Sequence, residues 1–156
     1  MLQRVDMYTD IAILPANYDM WAEMGVQTDP FPWKLNVPYT SLLWEAIHKC
    51  GGGADYISDR VLAQSFVRDG CLCYGNRRYK VIILPEVQSM SKEAMERLLE
   101  FVSKGGRVFC IGCKPCKSLG YKDFEARDRE MLDLLARLEK YTDRFVLLEK
   151  PDDGRY

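Results

Sequence analysis

Three cysteines at three-residue spacing, Cys110, Cys113 and Cys116, come closer to a chemical motif than any other residues in this sequence. C-x-x-C-x-x-C is a spacing by which thiolates gather around zinc or an iron–sulfur cluster. The surrounding residues argue for a plainer role. Cys110 falls inside Val108-Phe109-Cys110-Ile111, an apolar run suited to a buried strand, where a free cysteine behaves as a small hydrophobe. No fourth ligand stands nearby in sequence, although Cys71 and Cys73 are free to approach in space. No metal and no cofactor is therefore expected. A Cys113–Cys116 disulfide is the alternative open to an oxidising compartment. The remaining candidates are ligand or interface residues rather than catalytic ones: Asn17, Asp19, Trp21 and Trp33 in a long aromatic connection, Glu86 after an apolar run, and Cys113 itself. Tryptophan brings large contact area at low entropic cost, so Trp21 and Trp33 suit a sugar ring or a partner protein, or else cover the domain's own core. Glu86 is placed to orient a ligand or to serve as a surface or capping residue. His48 is the sole histidine and reads as a solvated or capping group beside the apolar stripe of a helix.

These residues are positioned by a short series of strands and helices. Val81-Ile82-Ile83-Leu84 is a continuous apolar run stopped by Pro85, the pattern of a strand buried on both faces. A helix follows, with Ser91 as N-cap and Glu93 in the first turn. Met95, Leu98, Leu99 and Val102 share one face of it, and Gly105-Gly106 ends it. Val108 to Ile111 is then the second strand of a right-handed βαβ unit. Upstream, Ile11 to Leu14 predicts a strand and Asp19 to Met24 a helical turn. A helix from near Pro38 carries Leu42, Leu43, Ala46, Ile47 and Cys50, with Gly51-Gly52-Gly53 closing it. Ala54 to Ser58 reads as another strand and Asp59 to Gln64 as a short helix. Phe66-Val67 and Cys71 to Tyr74 form a small hairpin around Asp69-Gly70, a pair that favours a type I′ turn. Gly75-Asn76 then returns the chain to the central unit. A last helix from Phe124 to about Tyr141 and a strand from Phe145 to Leu148 complete the pattern. Alternation of this kind predicts a three-layer, flavodoxin-like α/β domain, its five-stranded, mainly parallel sheet ordered 2-1-3-4-5 with an added hairpin.

The totals exclude several function classes. At 156 residues the chain makes one domain with a real core. A net charge of −1 gives no reason to expect nucleic acid or an anionic membrane as partner. No apolar run approaches the ~20 residues of a membrane helix. The start lacks signal-peptide character, and six cysteines without small-scaffold spacing read as reduced thiols, which favours the cytoplasm. Pro151 to Tyr156 reads as a linker, as though the domain came from a longer chain. No loop carries G-x-G-x-x-G or a Walker sequence, and Ala16-Asn17-Tyr18-Asp19 lacks the Ser, Thr and Gly of a flavin phosphate loop.

The stretch YKVIILPEVQSMSKEAMERLLEFVSKGGRVFCIG, with IAILPANYDMW, ADYISDRVL and the Asp69-Gly70 hairpin, resembles the class I glutamine amidotransferase-like fold. More narrowly, it resembles the version embedded as an accessory domain in large bacterial glycoside hydrolases, such as the trimerisation domain of family 42 β-galactosidases and the similar domain of α-L-rhamnosidase-like enzymes. The likeness spans roughly residues 10 to 115. An active amidotransferase of this fold carries a nucleophilic cysteine in a G-x-C-x-G elbow, a histidine near the last strand and a glycine-rich oxyanion loop. Here the elbow position falls at Gly112, next to Cys113-Lys114-Pro115, no histidine follows His48, and the oxyanion loop is replaced by Glu86-Val87-Gln88. The resemblance therefore implies a non-catalytic accessory domain acting in carbohydrate breakdown, whose partners are other domains or subunits of a glycoside hydrolase and, through its loops, carbohydrate. Two other readings stay open: a stand-alone amidotransferase-like or flavodoxin-like enzyme using Cys113, and a small sugar-binding module.

Overall fold

The computed structural model describes residues 8–24 and 38–151. Trp33 and Phe31 lie outside the described residues. The first strand, β1 (Ile11–Ile13), runs into Pro15 and is followed by α1 (Asn17–Met24), a longer helix than the single turn the sequence predicts. Helix α2 (Pro38–Lys49) starts on proline, whose missing N–H costs nothing in a first turn. It closes at Gly51, whose positive φ of 79° lets Gly51 N–H reach the His48 carbonyl at 2.9 Å. Strand β2 (Ala54–Tyr56) stops two residues short of expectation because Ser58 turns aside to cap α3 (Asp59–Gln64), accepting from Val61 N–H at 3.2 Å.

The chain then makes β3 (Phe66–Arg68), β4 (Cys71–Tyr74) and β5 (Arg77–Tyr79), an antiparallel sheet of three strands rather than a two-stranded hairpin. Asp69 and Gly70 have φ of 52° and 71°, the positive values a type I′ turn requires. Gly75-Asn76 turns the chain into β5 and not directly into the central unit. This strand carries two arginines and no apolar run. Its pairing is secured instead by Tyr79, which is buried in the core and donates to Asp55 Oδ2 at 3.0 Å.

The central unit follows as β6 (Val81–Pro85), α4 (Lys92–Ser103) and β7 (Arg107–Ile111), then α5 (Phe124–Leu138) and β8 (Phe145–Leu148). Helix α5 ends three residues before Tyr141, where Glu139 takes the capping position. The main sheet is five-stranded and parallel, in the order β2-β1-β6-β7-β8, which is the predicted order counted over its own strands.

Alternate residues of this sheet feed two cores. Ala12, Leu14, Ile82, Leu84, Val108 and Cys110 face α4 and α5, with the inner side of the three-stranded sheet joining the same cluster. Helix α4 supplies Ala94, Met95, Leu98, Phe101 and Val102, all at 0% exposure, each long side chain contributing about 1.5–3 kcal/mol by leaving water. On the other face Ile13, Ala54 and Ile111 meet Leu43 and Ile47 of α2. That second contact is narrow, and so Leu42 and Cys50, predicted to share the buried stripe of α2, are exposed. Among the described residues no helix is long and apolar enough to cross a membrane.

The turn out of α4 is packed to its limit. A Cβ at Gly106 would land on the Phe101 ring, which is fully buried and held by the sheet behind it. Gly106→Ala is expected to lower stability by about 1–3 kcal/mol through overpacking, read as a fall in the urea midpoint at unchanged m-value.

Candidate functional site

In open parallel sheets ligands bind outside the carboxyl ends of the strands, where neighbouring connections leave in opposite directions. Here that place is the gap between β1 and β6, and the loops around it are tied to one another by the chain's own polar groups. Asp19, in the first turn of α1, accepts from the backbone N–H of Gln88 at 2.8 Å and of Ser89 at 3.1 Å. The Gln88 carbonyl in turn accepts from Cys116 and Lys117 N–H, each at 2.9 Å, and Met90 N–H donates to the Lys117 carbonyl at 3.2 Å. One carboxylate thus fastens the loop after β6 to the helix after β1, and backbone bonds carry the connection on to the loop after β7.

Glu86 begins the loop after β6 with φ of 53°, a left-handed conformation that a glutamate adopts only under constraint. Its N–H is held by the Ile111 carbonyl at 2.9 Å, and its Oε1 lies 2.6 Å from Lys150 Nζ. Gly112 sits beneath this pair with φ of 80°, and a Cβ there would approach Glu86 Cγ at 3.3 Å. The first residue after β7 is therefore a glycine packed against an ion pair.

Cys113, the next residue, is half-buried. Burial pushes its thiol up first, and the charges of Asp19 and Glu86 push it further in the same direction. His48 stacks on Trp44 within α2, ring centroids 3.7 Å apart, with Nδ1 3.2 Å from the Trp44 carbonyl oxygen. Cys110 is fully buried and its thiol is pushed up to about 12 by desolvation, the state of a core residue. All six cysteines are free, and among the described residues no three His, Cys, Asp or Glu side chains converge as a metal site.

Beside Asp19 lies a cavity of about 80 Å³ between the ends of β1 and β6. Leu14, Pro15 and Val87 form apolar wall, and Asn17, Ser58 and Ser89 bring hydrogen-bonding groups. Trp21 borders it, 62% exposed, with Tyr18 edge-on at 5.8 Å and 87°. Of the predicted site residues, Asn17 and Trp21 line this cavity, while Asp19 lies between them in α1 with its carboxylate on the Gln88 and Ser89 amides. Glu86 and Cys113 belong to the neighbouring β7 side of the same edge.

Two carboxylates went unmarked in the sequence reading. Asp59, 9% exposed, accepts from Ser91 N–H at 2.9 Å and from Ser91 Oγ at 2.6 Å, while Ser91 Oγ accepts from Ala94 N–H at 3.2 Å to cap α4. Its only signal was its place directly after the Ser58 cap. Asp128 on α5 accepts from Ser118 N–H and Ser118 Oγ, both at 2.7 Å, anchoring the loop after β7. Nothing local in the sequence marks that bond.

No family model matches the chain. Over 95 residues it is 30% identical to a protein of Formosa agariphila named "Putative beta-glucuronidase", a match covering 60% of this chain and 8% of that protein. Among solved structures, a β-galactosidase from Bifidobacterium adolescentis matches 83% of this chain and 54% of its own, at 23% identity and a TM-score of 0.49. Gan42B, a GH42 β-galactosidase, matches 76% of this chain and 16% of its own, at 23% identity and a TM-score of 0.44. The chain thus spans less than a tenth of the length of the curated relative it matches.

Removing the Asp19 carboxylate leaves two amides without a charged acceptor, at a cost of about 1.5–3 kcal/mol. Asp19→Ala is expected to speed hydrogen exchange at Gln88 and Ser89 by about tenfold or more while the sheet amides keep their protection. Asp128 is held below the ordinary carboxylate range, chiefly by the Ser118 backbone N–H and then by the Ser118 hydroxyl. A depressed folded value gives stability that is complete above the unfolded value of about 3.9 and is lost as pH falls through the folded one. Asp128→Ala should therefore lower the urea midpoint at neutral pH, and the gap from wild type should begin to narrow as the pH falls below about 3.9 and close only below the folded value.

Proposed function

We propose that this chain is a non-catalytic accessory domain of a larger glycoside hydrolase, with the flavodoxin-like, amidotransferase-like arrangement its sequence resembles. Its partners are other domains or subunits of that enzyme. The observation that carries this reading is Cys113. A thiol at the end of the strand where this fold can place a nucleophile is useful only as a thiolate, and a cysteine is activated by a base or a positive environment. Cys113 has the opposite surroundings, with burial, Asp19 and Glu86 all favouring the neutral thiol. The position before it is sealed by Gly112 and the Glu86–Lys150 pair.

Two further features support the domain reading. The matched relative carries the similar stretch as 8% of its length, as an embedded domain would be carried, and its printed name is that of a carbohydrate-cleaving enzyme. The edge strand β8 also leaves Leu147 and Leu148 exposed at 48% and 43%, beside a strand edge that is unpaired among the described residues and of the kind proteins normally cover.

Thiol labelling across a pH series, read cysteine by cysteine by peptide mass spectrometry, tests the non-catalytic assignment. Cys113 is expected to label slowly at neutral pH, with a rate that climbs only above the ordinary thiol range. Rapid labelling of Cys113 below about pH 7, absent in Cys113→Ser, would restore a thiolate nucleophile and overturn the proposal.

A further inference from the structure

The cavity between the ends of β1 and β6 has hydrogen-bonding capacity that the fold leaves unused. The Asn17 side-chain amide, which offers two donors and an acceptor, has no partner among the described residues, and neither has the Ser89 hydroxyl. Ser58 Oγ accepts from Val61 N–H to cap α3, which leaves its own proton to give. Capacity of this mixed kind, donors and acceptors together, matches a ligand whose groups also do both, which is the property of hydroxyls.

Charge complementarity narrows the ligand further. Both carboxylates beside the cavity are engaged: Asp19 by the Gln88 and Ser89 amides, Asp59 by the Ser91 amide and hydroxyl. Among the described residues no lysine or arginine lines it. An anion or a cation would find no free countercharge there. Trp21 adds a flat apolar face, 62% exposed and braced edge-on by Tyr18, onto which the C–H face of a sugar ring can lie. Apolar wall with a few convergent polar groups is the ordinary make-up of a small-molecule site. At about 80 Å³ the cavity admits one edge of a single ring and no more.

We infer that this cavity seats one edge of a neutral pyranose, with Trp21 as the stacking platform and Asn17 and Ser89 as its hydrogen-bonding partners. Neither Cys113 nor the β8 edge takes part, so the site stands or falls independently of the accessory-domain reading.

Titration of the ¹⁵N-labelled chain with methyl β-galactopyranoside and with methyl β-glucopyranoside, followed by amide NMR to saturation, tests it. At least one neutral glycoside is expected to shift the Trp21 indole N–H, the Asn17 side-chain amide and the Ser89 amide together. Trp21→Ala should weaken binding about tenfold, the worth of one stacking contact, and Trp21→Phe should restore most of it. Because Trp21 is largely exposed, Trp21→Ala is expected to keep its dispersed spectrum; Asn17→Ala supplies a second variant that leaves the aromatic pair in place and should also weaken binding. Absence of shifts at these three groups with both glycosides would overturn the site, as would unchanged affinity in both alanine variants. Tighter binding of glucuronate than of either neutral glycoside would overturn the assignment of a neutral ligand.

Discussion

A nearly buried carboxylate, Asp59, holds the two halves of this domain in register. It accepts twice from Ser91, and the Ser91 hydroxyl that donates to it also caps α4. The first residue of α3 is thereby bonded to the residue that starts the longest-buried helix of the protein. Helix α4 in turn is the slab on which the larger core is built, since Met95, Leu98, Phe101 and Val102 reach strands of the main sheet, α5 and the three-stranded sheet within one cluster. A charge taken out of water to this extent is tolerable only because both oxygens are met by donors. If that bond is lost, the entry angle of α4 is set by packing alone.

The same device recurs at the carboxyl edge of the sheet. Asp19 fastens the loop after β6 to α1, and Asp128 fastens the loop after β7 to α5. In each case a short acid on a helix satisfies backbone amides that a loop would otherwise leave to water. In an enzyme of this general architecture, such amides are the groups left free to meet a ligand's developing charge. Here those of Gln88 and Ser89 are already spent on the protein itself. The consequence is an edge whose loops are fastened to one another by the chain's own carboxylates.

How much of this could be read from the residues follows from what kind of signal each element carries. Strands β6 and β7 and helix α4 were legible because a continuous apolar run, a capped amphipathic helix and a double glycine are all local patterns. The sheet order followed from the alternation of βα units, which leaves few topologies. Strand β5 was missed because Arg77 and Arg78 hide it; only its pairing with β4 and the burial of Tyr79 make it a strand. The stripe on α2 was drawn too wide, since periodicity marks apolar residues and cannot say how broad the facing surface is. The place of Asn17, Asp19 and Trp21 at the carboxyl edge of the sheet followed from their position directly after β1. The roles of Asp59 and Asp128 depend on partners distant in sequence, Ser91 and Ser118, that no local pattern connects.

The position of β1 has a consequence for how the molecule comes into being. It is the first strand among the described residues and lies between β2 and β6, so one of its two neighbours is made roughly seventy residues after it. During synthesis Ile11, Ala12 and Ile13 precede both of their partner strands, with open hydrogen-bonding edges and apolar side chains on both faces. They wait through the whole of α2, α3 and the three-stranded sheet before β6 arrives to close them in. Pairing of β1 with β6 therefore closes a loop of roughly seventy residues, an entropic cost that the local contacts of the βαβ unit do not carry.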